Sequence, residues 1–466
     1  MSTKRDLPQL PYGAVYFRKS NPPKEDWERD YTTAEEDGMN FNRHWFMWGA
    51  IEVSPGVYDW SDYDRQMDLA AKHGIRTIIA EMITSIPEWA AHKYAHALHK
   101  KADGTSVRTQ MGVSSATGGF GNGSQGMLSL DCPEVKEAAG RFLSELVLRY
   151  KDHPAMAGYD VWNECNYSPD GCHNEYTLRK FRAWLNVKYG SLQALNQAWH
   201  RYSYTDWEQV DSPRQLAPYP ECIDWVQFTK ENFYEHMQWR VDLIRSLDDK
   251  NIIAAHGIAG SMNQIASMGA DDWLAASKVD VYGFTWVASR KGSEPWKQWH
   301  AVDLTRAASR GRTFWHAEAQ GGALWLQPQV IGRARNDGRI TEPEDIRVWQ
   351  MISFAGGARG LLFPRWRPLL DGAAVRRVRP LWDGRLPNGP FGDGLCDCPL
   401  GQRTAAEGAS RIETDPRGNR HPCRSGSAGF RLLVAPPRPK RAVCPSAVGS
   451  LSGVFRSERT GRLGTY

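Results

Sequence analysis

No stretch of this 466-residue sequence approaches the eighteen or so consecutive apolar residues that a membrane-spanning helix needs. The opening "MSTKRDLPQLPYGAVYF" carries charge but lacks the apolar centre of a secretory signal, so a soluble protein, not exported by a standard signal peptide, is expected. Cysteine is scarce. Eight residues (Cys132, Cys165, Cys172, Cys222, Cys396, Cys398, Cys423 and Cys444) are too thinly spread for a disulfide scaffold, and reduced thiols in a cytoplasm fit better. A basic body is also missing. The formal charge of +5 resides in the segment from Pro368 onward, with 16 Lys+Arg against 8 Asp+Glu, and the preceding residues are slightly acidic. Nucleic acid is therefore excluded as a partner on electrostatic grounds, and a membrane on hydropathy.

Tryptophan, by contrast, is plentiful. Of 20 Trp, all but Trp382 precede residue 368, many beside polar groups, as in "NRHWFMW", "GFTWVA" and "RTFWHAEAQ". Some must be core. Repeated at strand ends, they also suit stacking on the apolar faces of sugar rings.

Short apolar or β-branched runs alternate with helical patterns, the signature of βα units and a parallel sheet. Eight such runs occur: "YGAVYF" (12–17), "FNRHWF" (41–46), "RTIIAEM" (76–82), "MAGYDVWNE" (156–164), "NIIAAHG" (251–257), "VDVYGFTW" (279–286), "RTFWHAEA" (312–319) and "ARGLLFPRW" (358–366). Helix candidates between them include "DWSDYDRQMDLAAKHG", "CPEVKEAAGRFLSELVLRYKDH" and "WVQFTKENFYEHMQWRVDLIRSLDD". In the last, Phe228, Phe233, Met237 and Val241 recur near helical period. Eight strands alternating with helices predict an α/β fold, a (β/α)8 TIM barrel, over residues 1–372.

In such a barrel the C-terminal strand ends form the active face. Glu164 closes the fourth run and Glu318 the seventh. Two carboxylates facing each other there can act as acid/base and nucleophile on a glycosidic bond, with retention of configuration at a spacing of about 5 Å and inversion at a wider one. The Gly- and Ser-rich insert between the third and fourth runs would wall the same face. It contains Gly121, Gly123 and Gly126 in a G-x-G-x-x-G spacing, but with no strand before it and no helix after it a dinucleotide site is not expected.

Several segments together resemble family 42 of the glycoside hydrolases, the β-galactosidases: "GYDVWNECN", "WGAIEVSPGVYDWSDYDRQMDLAAKHGI", "TSIPEWA", "RKFRAWLNVKYGSLQALNQAW" and "FPRW". The resemblance covers about residues 10–372. It implies Glu164 as general acid/base, Glu318 as nucleophile, Asn163 as hydrogen-bond partner of the sugar 2-OH, and Arg108, Trp286 and Trp325 as further substrate contacts. No cofactor is implied. Some relatives hold a structural zinc after the Asn-Glu pair. Here only Cys165 and Cys172 follow it, with His173 and Cys132 as further candidates, so no metal site is expected.

From residue 368 the chain holds 15 Arg, one Lys, no Met and four of the eight Cys, with no sustained period. Disorder is one reading. Another is out-of-frame translation of a GC-rich gene: the codons of "VRRVRPLWDG" read one base later permit Phe-Gly-Ala-Phe-Gly-Pro-Tyr-Gly-Met, similar to the segment expected there in the family. On that reading residues 373–466 are an irregular tail, the eighth barrel helix is incomplete, the trimer interface of the family is missing, and activity is impaired. The expected function is a retaining exo-glycosidase for terminal β-D-galactosides in a galactoside or oligosaccharide substrate. Another retaining barrel β-glycanase, or a non-catalytic sugar-binding remnant, are the alternatives.

Overall fold

The computed structural model describes residues 7–16, 23–80, 82–106, 128–166, 171–215, 219–259, 269–286, 295–320, 325–326 and 339–364, together with the backbone of two short strands at 412–414 and 420–422. Eight parallel strands close a barrel in sequential order: β1 (Tyr12–Tyr16), β2 (Phe41–Trp45), β3 (Arg76–Ala80), β4 (Met156–Asp160), β5 (Ile252–Gly257), β6 (Val281–Trp286), β7 (Phe314–Ala319) and β8 (Leu361–Phe363). β8 pairs with β1 to complete the circle, Tyr12 opposite Leu361. All eight expected strands are present, several shorter than the apolar runs. β4 ends at Asp160, not Glu164, and β8 covers three residues of the nine expected.

Helices cross between the strands as the patterns predict: Ser61–Lys72 joins β2 to β3, Pro133–Tyr150 joins β3 to β4, and the 29-residue helix Tyr219–Leu247 leads into β5. Phe228, Phe233, Met237 and Val241 are all buried on that last helix, as their spacing requires. The barrel's lower interior is filled by Phe41, Ile78, Ala157, Ile252, Ala254, Val281, Trp315 and Leu362, drawn from seven strands. It is a packed core rather than a channel. The crowding leaves no room for a side chain at Gly13, where a Cβ would stand 1.6 Å from the carbonyl oxygen of Phe41.

Outside the barrel, Asp131 ties three helices together. Its side chain, buried just before Pro133–Tyr150, accepts from Thr177 Oγ1 (2.6 Å), Asn232 Nδ2 (3.0 Å) and His236 Nε2 (2.8 Å), with Lys180 Nζ at 3.4 Å. Burial opposes its ionisation, but His236, Lys180 and Thr177 outweigh it and hold the carboxyl well below the usual range. His236 is shifted downward too, by burial, against the pull of Asp131. Both groups bind protons more weakly folded than unfolded. Stability should therefore be full above about pH 6.5, fall as His236 becomes protonated in the unfolded chain, and fall again below about pH 4 through Asp131. Thermal melts between pH 7 and 3 check this; replacing Asp131 by Asn should lower the melting temperature at neutral pH and flatten the acid decline.

The eighth helix, the G-x-G-x-x-G glycines and most of residues 373–466 lie outside the described residues. Within the last span, Ile412–Thr414 and Arg420–Pro422 pair antiparallel.

Candidate active site

Two irregularities decide which side chains enter the mouth of the barrel. Between β3 and β4 the register runs from Thr77 opposite Met156 to Ile78 opposite Gly158, so Ala157 is an extra residue. Between β6 and β7 it runs from Phe284 opposite His316 to Thr285 opposite Glu318, and Ala317 is extra. An inserted residue exchanges the two faces for everything beyond it. Ala157 and Trp315 belong to the interior cluster, so strict alternation would turn Asp160 and Glu318 outward. The bulges turn both inward. Their neighbours face the helices instead: Tyr159 donates to Asp248 (2.8 Å) and His316 Nδ1 meets Ser353 Oγ (2.8 Å). β2 and β5 alternate without interruption, which carries Arg43 inward after Phe41, and His256 after Ile252 and Ala254.

These side chains form one buried network. Arg43 is 1 % exposed and donates from Nε to Asp160 Oδ2 (2.7 Å) and from Nη2 to Asn163 Oδ1 (2.8 Å), while its Nη1 lies 3.5 Å from Glu318 Oε1. His256 Nδ1 is 3.1 Å from Asp160 Oδ2, and its Nε2 is 3.8 Å from Glu318 Oε1. Burial opposes ionisation of Asp160, but the Arg43 guanidinium and the His256 ring bring its carboxyl below the ordinary value. A carboxylate with such partners remains charged at neutral pH.

Beyond β4 the chain keeps to the edge of β5: Val161 N–H donates to Ala254 O (2.8 Å) and Cys165 N–H to His256 O (2.7 Å). Between them Glu164 takes a left-handed conformation, φ 49°. That costs a non-glycine residue about 1–3 kcal/mol and is found where surrounding contacts impose it, frequently at functional sites. One such contact is the Glu164 N–H donating to His256 Nε2 at 3.3 Å. Glu164 itself is half-buried, and among the described residues its carboxylate joins no hydrogen bond or ion pair.

Of the residues singled out in the sequence, Asn163, Glu164 and Glu318 thus converge on Arg43 and His256. Trp286 ends β6, buried, its carbonyl accepting from His316 Nε2 at 3.2 Å. Trp325 begins a two-residue strand paired with Arg339–Ile340 beyond β7, where only its backbone is described. Arg108 lies outside the described residues. Arg43, Asp160 and His256 were not singled out from the sequence. For metal, Cys165 and Cys172 are buried thiols whose ionisation burial suppresses. The described residues gather one group of three candidate ligands, His96, Cys132 and Glu134, two of them exposed.

A closed parallel (β/α)8 barrel with carboxylates gathered at the C-terminal ends of β4 and β7 has the layout of a TIM-barrel enzyme. A family model described as beta-galactosidase matches residues 16–376, and the chain belongs to that family, number 42 of the glycoside hydrolases. It is 24 % identical over 375 residues to the beta-galactosidase LacZ of Heyndrickxia coagulans, covering 78 % of this chain and 51 % of that protein. It is 25 % identical over 382 residues to the beta-galactosidase BgaB of a Geobacillus species, covering 79 % and 52 %. The chain spans about half the length of the curated relatives it matches. Among solved structures, the beta-galactosidase from Bacillus circulans sp. alkalophilus superposes with a TM-score of 0.65 at 22 % identity, over 79 % of this chain and 52 % of that one. The cold-adapted beta-galactosidase from Rahnella sp. R3 gives 0.66 at 20 %, over 88 % and 58 %. These likenesses establish the barrel. No described helix is long and apolar enough to cross a membrane.

Proposed function

We propose that the chain is a retaining exo-glycosidase that hydrolyses terminal β-D-galactosides through a glycosyl-enzyme intermediate. The observation that carries this reading is that the backbone amide of Glu164, after β4, and the carboxylate of Glu318, in β7, both lie against one imidazole, that of His256. Two carboxyl groups in one barrel mouth with different surroundings can divide the labour. Glu318, beside the Arg43 guanidinium, is favoured as a carboxylate and serves as the nucleophile that bonds to the anomeric carbon. Glu164, half-buried in the turn after β4, is the acid/base that supplies a proton. It gives that proton to the departing oxygen and then takes one from the water that releases the sugar.

Asn163 uses its Oδ1 on Arg43, leaving its Nδ2 to donate to a sugar hydroxyl; the 2-OH is the natural recipient. Arg108, Trp286 and Trp325 complete the substrate contacts. The galactoside preference is supported by the names of the relatives, all beta-galactosidases among those given above. A reducing compartment, the cytoplasm, is favoured by the free thiols of Cys132, Cys165, Cys172 and Cys222.

The test is leaving-group dependence. Replacing Glu164 by Ala should cost about 10² to 10⁴ on galactosides with poor leaving groups, the usual worth of proton transfer. A dinitrophenyl galactoside, which needs no protonation to depart, should be cleaved far better, and azide should yield a galactosyl azide of retained configuration. A loss of equal size on every leaving group would remove Glu164 from the acid/base role.

A further inference from the structure

The left-handed turn at Glu164 requires something to hold it, and the side chain that accepts from its amide, His256, also lies beside Glu318. Its hydrogen atoms can be assigned from its partners. A backbone N–H only donates, so His256 Nε2, 3.3 Å from the Glu164 nitrogen, must offer a lone pair. An ionised carboxylate only accepts, so His256 Nδ1, 3.1 Å from Asp160 Oδ2, must carry the proton. The ring is therefore neutral and protonated on Nδ1. Asp160 is itself anchored by Arg43 Nε at 2.7 Å, so the tautomer is imposed by a rigid pair.

The backbone of His256 reinforces the hold: its carbonyl accepts from Cys165 N–H (2.7 Å), and its N–H donates to Trp162 O (3.4 Å), on either side of the Asn163–Glu164 pair. The remaining neighbours leave the ring in place. On β6 the adjacent residue is Gly283, where a Cβ would come within 3.1 Å of the His256 Cβ. On β7, Glu318 Oε1 stands 3.8 Å from Nε2, beyond hydrogen-bond length, so this ring does not hydrogen-bond Glu318.

Building on the galactosidase reading above, we propose that His256 is the positioning residue for the acid/base. As a neutral, Nδ1-protonated imidazole it fixes the turn at Glu164 and so aims the Glu164 carboxyl at the leaving oxygen. A proton on Nε2 would exchange that acceptor for a donor, releasing the Glu164 amide and turning toward Glu318.

Two measurements on the full chain decide this. The first is imidazole ¹⁵N NMR of histidine-labelled protein, with the His256 signals assigned by their loss in His256→Gln. A neutral ring protonated on Nδ1 at neutral pH is expected; the Nε2–H tautomer or an imidazolium would overturn the proposal. The second compares His256→Gln, whose Oε1 can stand where Nε2 stood, with His256→Asn, which is too short to reach the Glu164 amide.

The rate of galactosyl-enzyme formation should fall in His256→Asn by about 10²-fold more on poor leaving groups than on dinitrophenolate, as expected when acid assistance is misdirected. His256→Gln should recover most of that difference. Equal losses in the two variants, or losses independent of the leaving group, would make His256 merely structural. Should the unsubstituted chain form no galactosyl-enzyme with any galactoside, the galactosidase reading fails, and the tautomer measurement then judges the role of His256 by itself.

Discussion

Replacement of Glu318 by Ala is expected to abolish galactoside hydrolysis, with kcat reduced on the order of 10⁵ to 10⁶, the scale seen when other enzymes lose a nucleophile. The reason lies in what remains. With the roles proposed above, Glu164 would still protonate the leaving oxygen, but no group would stand on the other face of the anomeric carbon to share its positive charge or bond to it. Azide entering the vacated space should restore cleavage of activated galactosides and give a product of inverted configuration, because one displacement then replaces two. Stability should not fall in parallel. Glu318 shares Arg43 and His256 with the buried carboxylate of Asp160, and like charges held together in an active site oppose folding. An unchanged or raised melting temperature alongside lost activity is therefore expected. A variant that remains active, or one rescued with retention, would place the nucleophile elsewhere.

The opposite expectations for activity and stability follow from how the sequence builds this face. Eight strands were readable because each is a short apolar run between helices of clear period, and the two glutamates stood out as charged residues closing such runs. The bulges at Ala157 and Ala317 were not readable, since an extra alanine in a β-strand leaves no mark on composition. Counting by twos from Trp315 sends Glu318 to the helices, and only the inserted residue returns it to the barrel. Nor did the run through "DVWNE" reveal that the strand ladder stops at Asp160 and that Glu164 sits in a left-handed turn. Arg43 and His256 are different. Uninterrupted alternation from Phe41, and from Ile252 and Ala254, points both inward, so two polar side chains in otherwise apolar interior rows were a signal available in the sequence. The proton arrangement among them depends on distances across four strands, which no sequence pattern carries.

The same network makes Arg43 the residue whose loss should damage the fold most within the site. Its guanidinium meets Asp160, Asn163 and Glu318, three acceptors on two strands and the turn after β4, at a position only 1 % exposed. Replacing it by Met would keep much of the volume but leave Asp160 buried without its cation, and breaking a buried pair in this way typically costs about 3–5 kcal/mol. His256 would be left as the remaining partner of Asp160, and the hold of its ring on the Glu164 amide would weaken. Activity should drop as well, because Asn163 and Glu318 lose the group that orients them. Arg43→Lys should restore part of the stability and little of the activity: a single ammonium can neutralise Asp160 but cannot span the three acceptors that the planar fork reaches. Urea unfolding at pH 7 and the rate of galactosyl-enzyme formation measure the two effects separately. If Arg43→Lys recovered both together, the guanidinium would be acting only as a charge, and its geometry would have no part in organising the two carboxylates.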